Sequence, residues 1–235
     1  MTTTGDGSQF SAADPALGYL YQVRSGLLWA LQRLKNSSEF LVSIEALDDV
    51  AFETTGGNAT DLLQTKHHLA SSANLTDASP DLWKTLRIWF EGTESKSIPA
   101  TANLLLVTTA TASDGSAASY LRSAGRDVNT AQQALDTTAS TSSNQTNKSA
   151  YAAYLNVSPA ARRAILDRVT IIDAAHTIVD LETALKEEVF WAAGREHHDA
   201  FLERLEGWWL RRVLKQLVDV GHDRIGSVEL ESQMS

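Results

Sequence analysis

The residue types with the most chemical potential lie in one stretch, from Glu45 to His68, which reads E-A-L-D-D-V-A-F-E-T-T-G-G-N-A-T-D-L-L-Q-T-K-H-H. Three acids come first (Glu45, Asp48 and Asp49), and Gln64 and Lys66 follow. An acid, an amide oxygen and an amine meeting at one point outline a site for a metal ion and a water. Such a site suits phosphodiester hydrolysis, where the metal generates hydroxide and neutralises developing charge. Mg²⁺ accepts hard oxygen ligands and keeps several waters, so one or two carboxylates and a carbonyl oxygen suffice. Asp49 is expected as the main ligand, with the Gln64 oxygen as a weaker neutral one and Asp48 or Glu45 in support. Glu45 reaches the metal if it continues the strand alternation of Ser43. Lys66 would orient or deprotonate the attacking water, and Mn²⁺ would substitute for Mg²⁺. The bland alternative makes Asp48-Asp49 a turn and Lys66 an exposed strand residue.

The elements that must position these groups can be read from the flanking pattern. Val50-Ala51-Phe52 alternates as a strand does, Thr54-Thr55-Gly56-Gly57-Asn58 supplies a hairpin loop, and Asp61 to Lys66 forms the return strand. Gln64 and Lys66 then share one face, and the hairpin sets Asp49 beside them. A helix beginning at Pro15 has apolar residues from Leu17 to Leu34 and carries Gln22 and Arg24. Phe40 to Ile44 reads as a buried strand. Ser79-Pro80-Asp81 starts a second helix, with Leu82, Leu86, Trp89 and Phe90 as its buried stripe and Lys84 and Arg87 off it. The run 103–109 reads as a strand covered on both faces, which requires the two helices to lie on opposite sides of the sheet. Further on, the spacing predicts helices over 128–136 and 149–156 joined by a Ser/Thr/Asn-rich loop. A helix from Ser158-Pro159, a strand at 169–172 beside 103–109, and helices near 178–193 and 196–220 complete the chain.

Four segments in order carry a family resemblance: Tyr21-Gln22, Glu45-x-x-Asp48-Asp49-Val50, Gln64-Thr65-Lys66-His67 and Asp81-Leu82-Trp83-Lys84-Thr85. Together they resemble the PD-(D/E)xK nuclease superfamily, and within it the N-terminal domain of the CD-NTase-associated double-stranded DNA endonucleases of CBASS and Lamassu-like defence. The resemblance implies an α/β fold with a restriction-endonuclease-like core, a mixed sheet flanked by helices, over residues 15–112. A mostly helical extension over 113–226 with one possible added strand follows, between a flexible arm at 1–14 and a tail at 227–235. It implies metal-dependent cleavage of double-stranded DNA as the effector of an anti-phage system. Other subunits or domains of a defence complex, and an oligomer when active, would be its partners. Gln22 and His68 would line the cleft, and Arg24, Lys84 and Arg87 would border it as DNA contacts.

Composition restrains that expectation. The 235 residues carry 29 Asp and Glu against 20 Lys and Arg, a formal charge of −9, which disfavours tight binding of nucleic acid by the chain alone. There is no Cys, hence neither a disulfide nor a thiolate zinc site. No apolar run is long enough to span a bilayer and the first residues do not form a signal peptide, so a cytoplasmic protein is expected. The acidic balance keeps a second reading open, a catalytically weak or inactive scaffold or interaction module of a defence complex. RNA cleavage is a third, because hydrolytic chemistry does not itself choose the sugar.

Overall fold

The computed structural model describes residues 13–36, 39–68, 73–219 and 223–234. The expected arm at 1–14 lies outside them, apart from residues 13 and 14, which begin the first helix. In chain order the elements are α1 (Ala13–Leu34), β1 (Leu41–Ile44), β2 (Val50–Glu53), β3 (Ala59–Lys66), β4 (Asn74–Leu75), α2 (Pro80–Glu94), β5 (Asn103–Thr108), β6 (Thr111–Ala112) and α3 (Ala117–Tyr120). They continue as α4 (Val128–Thr141), α5 (Lys148–Asn156), α6 (Pro159–Leu166), β7 (Val169–Ile172), α7 (Asp180–Glu188), α8 (His198–Val218), β8 (Ile225–Gly226) and α9 (Ser227–Gln233).

The result is a mixed α/β fold around a six-stranded sheet in the order β7-β5-β3-β2-β1-β8. β3, β5 and β7 run parallel, and β3, β2, β1 and β8 pair antiparallel. β4 and β6 form a separate two-stranded parallel ribbon. The β2–β3 hairpin pairs Val50 with Leu63 and Phe52 with Asp61, which places Asp49 beside Gln64. Gly57 closes its loop at φ 79°, a conformation that glycine adopts without strain.

Strand alternation sorts the apolar side chains into two cores. Ala51, Leu62, Leu104 and Leu106 join Trp83, Leu86 and Trp89 of α2 on one face. Val42, Ile44, Val50, Phe52, Leu63 and Val107 join Tyr21, Leu27 and Leu28 of α1 on the other. The two helices therefore cover opposite faces, and β5 lies inside the sheet between β3 and β7. Close approach of α1 to β1 depends on Gly26, where a Cβ would come within 2.7 Å of Ile44 Cδ1.

Three sequence expectations need correction. The loop expected over 137–148 is helical as far as Thr141. The stripe Val128, Ala131, Leu135, Ala139 keeps helical spacing and stays buried. Thr137, Ser140 and Thr141 donate their hydroxyls to carbonyls four residues back, which satisfies the polar side chains without breaking the helix. The helix expected over 178–193 spans only Asp180–Glu188. The expected tail at 227–235 forms α9 as far as Gln233, which buries Leu230. Among the described residues no helix is long and apolar enough to cross a membrane.

Candidate functional site

Where β2 begins and β3 ends, the hairpin gathers Asp48, Asp49, Gln64 and Lys66. Gln64 Nε2 donates both to Asp48 Oδ1 and, at 3.2 Å, to Asp49 Oδ1. Lys66 Nζ donates to Gln64 Oε1 at 2.8 Å and lies 3.8 Å from Asp49 Oδ2. The second Asp49 oxygen accepts from the Thr65 amide at 2.7 Å and the Thr65 hydroxyl at 3.1 Å. The expected convergence of Asp49, Gln64 and Lys66 is thus present.

Asp48 is the more deeply buried of the two acids, 8% exposed, and Trp89 of α2 donates its indole N–H to Asp48 Oδ2 at 3.0 Å. Burial pushes the Asp48 carboxyl up to about 6; hydrogen bonds from Gln64 and Trp89 oppose the rise, and the Asp49 charge adds to it. Two carboxylates therefore share one amide donor in a largely dry environment. Positive charge is favoured there, and the two carboxylate oxygens facing Gln64 are where it would sit. The groups that could hold a hard cation here are Asp48, Asp49 and the Gln64 oxygen, which in this structure accepts from Lys66 while the amide nitrogen faces the acids. Among the described residues no three His, Asp or Glu side chains are grouped so as to hold a metal ion.

Gln22, expected to line the cleft, is 5% exposed and donates to the Asp49 backbone carbonyl at 2.6 Å. It ties α1 to the turn that presents Asp49. His68 pairs with Asp81 at 2.7 Å, so the first turn of α2 caps the end of β3. The neighbouring His67 ring packs 4.6 Å from Tyr21, and burial together with the charge of His68 lowers its pKa.

Glu45 does not join the cluster. β1 ends at Ile44, and Glu45 turns into the left-handed region at φ 57°, so strand alternation does not extend to it. It is exposed, and burial and the Glu45 charge together hold the Tyr19 hydroxyl above its usual pKa. Two of the three cations expected to border the cleft, Arg24 and Arg87, are engaged with other elements. Arg24 pairs with Glu206 of α8 at 2.6 Å and donates to the Ile178 carbonyl. Arg87 donates to Ser149 of α5 and faces Glu91, and Lys84 is exposed. Spacing along one helix located Arg24 and Arg87, but their side chains follow the helices packed beside them. Two contributors escaped the sequence reading: the Trp89 indole, which read only as a core residue, and Thr65, which supplies two donors to Asp49.

No protein-family model and no curated protein sequence matches the chain. Solved structures do match. The Acinetobacter baumannii Cap4 SAVED/CARF-domain containing receptor with the cyclic trinucleotide 2'3'3'-cAAA superposes with a TM-score of 0.56 at 15% identity, over 97% of this chain and 45% of that one. The Moraxella osloensis Cap4 SAVED/CARF-domain containing receptor gives 0.55 at 15% identity, over 92% and 46%. The Acinetobacter receptor with 3'3'3'-cAAA gives 0.53 at 14% identity over the same shares. At such identities the likeness establishes the fold, and the chain spans about half the length of the solved chains it matches. This corrects the family resemblance drawn from the sequence, since the matching structures are SAVED/CARF-domain containing receptors and not PD-(D/E)xK nuclease domains. A short acid and Gln-x-Lys pattern specifies a local hairpin, and a local hairpin does not identify a family.

Proposed function

We propose that this chain is a module of a bacterial anti-phage defence receptor of the CBASS type, working through contacts with the rest of that receptor. The observation that supports this is the superposition of nearly the whole chain on about half of each cyclic-trinucleotide receptor. The acidic balance fits the same reading, because a module that docks on protein needs no cationic face. The test is a phage-challenge assay in cells carrying the gene in its natural setting, with calorimetric titration of its full product by 2'3'3'-cAAA and 3'3'3'-cAAA. Protection that is lost on deleting the gene, together with binding of a cyclic oligonucleotide, is the expected outcome. Absence of both would overturn the proposal.

A second reading is favoured by one specific observation, the meeting of Asp49, Gln64 and Lys66 beside the buried Asp48. On this reading the module is a metal-dependent endonuclease acting on double-stranded DNA, and its core functions as a restriction-endonuclease-like one. Asp48, Asp49 and the Gln64 oxygen would hold Mg²⁺ or Mn²⁺, which supplies an activated water and charge neutralisation when bound. Lys66 would hold the attacking water and stabilise charge on the phosphate, and Gln22 would fix the Asp49 backbone. Nicking of plasmid by the full gene product with Mg²⁺ or Mn²⁺, abolished by EDTA, supports the enzyme. Cleavage of RNA alone would change the substrate, and no cleavage under activating conditions would leave the interaction module as the whole function.

A further inference from the structure

α8 has two apolar faces. Phe201, Leu205, Trp209 and Val213 are buried against α1 and the sheet. On the opposite side Leu210, Leu214 and Leu217 are 37%, 49% and 37% exposed. With Gly207 they follow a 3-4-3 spacing, the seam of a two-stranded coiled coil. Next to Gly207 a cavity of about 220 Å³ opens between α1 and α8, walled by Leu20, Leu27 and Leu210. The Gly207 backbone is covered only by the end of the Arg211 side chain, whose Nη1 would lie 3.4 Å from a Cβ there, so another helix can approach closely once that flexible side chain turns aside.

We propose that this face pairs with the α8 of a second copy of the chain, in parallel orientation about a two-fold axis. Charge selects both occupant and direction. With Gly207 and Leu214 at one core position and Leu210 and Leu217 at the other, Asp199 and Glu206 flank the seam on one side. Arg204 and Arg211 flank it on the other. Parallel pairing sets each acid against the cation five residues further along the partner helix, Asp199 against Arg204 and Glu206 against Arg211, twice over by symmetry. Antiparallel pairing would place acid against acid and cation against cation. Arg211 is exposed and has no ion-pair partner among the described residues. Asp199, Arg204 and Glu206 have partners within the chain: Asp199 pairs with Lys186 at the surface, Arg204 donates to the Gln233 carbonyl, and Glu206 forms a half-buried pair with Arg24 that dimerisation would have to exchange. The seam is two heptads long, so it alone supports a weak, transient dimer that strengthens when another region brings two copies together. It stands apart from the Asp49 cluster and does not depend on hydrolysis.

The test uses the full gene product, in which these 235 residues carry no Cys and any Cys elsewhere is replaced by Ser. Sedimentation across a concentration series should show reversible dimerisation. Leu214→Glu should weaken it by at least about 10-fold and Arg211→Glu by about 3-fold, with unchanged thermal unfolding, since both side chains are exposed. Leu214→Cys and Leu217→Cys should each form a disulfide dimer under mild oxidation, because parallel pairing sets each residue against its own copy. A monomer at all concentrations overturns the proposal, and so does a dimer that Leu214→Glu leaves intact. Cross-linking only when Leu210→Cys and Leu214→Cys chains are mixed would reveal antiparallel pairing and also overturn it.

Discussion

The two ends of β3 hold nearly the same set of chemical groups in opposite electrostatic states. At the Asp61 end an acid meets an amide and a cation. Asn103 donates to Asp61 Oδ1 at 2.9 Å, and Arg33 donates to Oδ2 at 2.6 Å. Burial works to raise the Asp61 pKa, but hydrogen bonds from Asn103, Arg33 and Thr60 outweigh it and leave the carboxyl below its usual range. At the Lys66 end there are two acids for one amide and one amine. The amine contacts Asp49 only at 3.8 Å, and Asp48 is pushed up to about 6. The first end is satisfied and holds the hairpin to α1, with the Arg33 guanidinium 4.8 Å over the Phe52 ring. The second end is left with excess negative charge, the condition that a bound cation relieves. Perturbed carboxyls of that kind concentrate at functional sites, whereas matched pairs concentrate in frameworks.

The largest difference between the ends concerns activity. If the Lys66 end does the chemistry of the second reading, Lys66→Ala should lower metal-dependent cleavage by at least about 100-fold, the scale of a lost proton-handling group. Arg33→Ala should leave the rate per folded molecule within about 3-fold, since it lies at the opposite end of the strand. Plasmid nicking normalised to folded protein checks both. Equal losses would show that the two ends work as a unit and erase the contrast.

Stability should reverse the order. Arg33→Ala removes an ion pair, a bond to Thr60 and a ring contact, and leaves Asp61 partly buried without its cation. A loss of about 2 kcal/mol is expected in denaturant unfolding. Lys66→Ala should cost about 1 kcal/mol, because it removes the donor to the Gln64 oxygen but only a distant contact with Asp49. A loss from Lys66→Ala as large as that from Arg33→Ala would mean the Lys66 end is framework too.

How far the sequence reveals these two ends depends on how local each feature is. The hairpin is legible because alternation and a Gly-Gly loop are nearest-neighbour properties, and it alone places Asp49 beside Gln64 and Lys66. The opposite placement of α1 and α2 is legible because β5 is apolar on both faces. Glu45 is misplaced because a single left-handed residue ends the alternation, and nothing in Ser43-Ile44-Glu45 announces it. Arg24 and Arg87 are misplaced because α8 and α5, far off in sequence, capture their side chains. The burial of Asp48 depends on Trp89, some forty residues away, and no spacing rule links the two. Strands β7 and β8 close the sheet from beyond residue 112, which is why a core bounded at that residue was only part of the layer.

Asp48 should also mark the pH dependence of folding. A carboxyl whose pKa rises from 3.8 to about 6 on folding binds its proton more tightly in the folded chain. The folded state then holds more protons than the unfolded state between those values, so stability declines as pH rises from about 4 to 6. The shift corresponds to about 3 kcal/mol, with its full effect above pH 6. Asp48→Asn should flatten that decline in unfolding curves, and a divalent cation should do the same in the native chain if it binds there. An unchanged slope in Asp48→Asn would show that burial is not what sets this carboxyl apart.

The smallest effect, and the sharpest check of the contrast, is the opposite slope from Asp61. Its pKa is lowered on folding, so the unfolded state holds the extra proton. Its contribution is present above the usual carboxylate range and is lost as pH falls through the folded value. The side chains of Asp61 and Arg33 keep 18% and 27% of their exposure, so water and salt screen the pair, and the charge-dependent part should stay below about 1 kcal/mol. Asp61→Asn should therefore remove a small loss of stability on the acid side and leave the decline between pH 4 and 6 untouched. Added salt should shrink the Asp61 limb, because that pair is partly wet, and should barely alter the Asp48 limb, whose cause is burial. If both limbs respond to salt alike, the two ends share one origin and the distinction between framework and site fails.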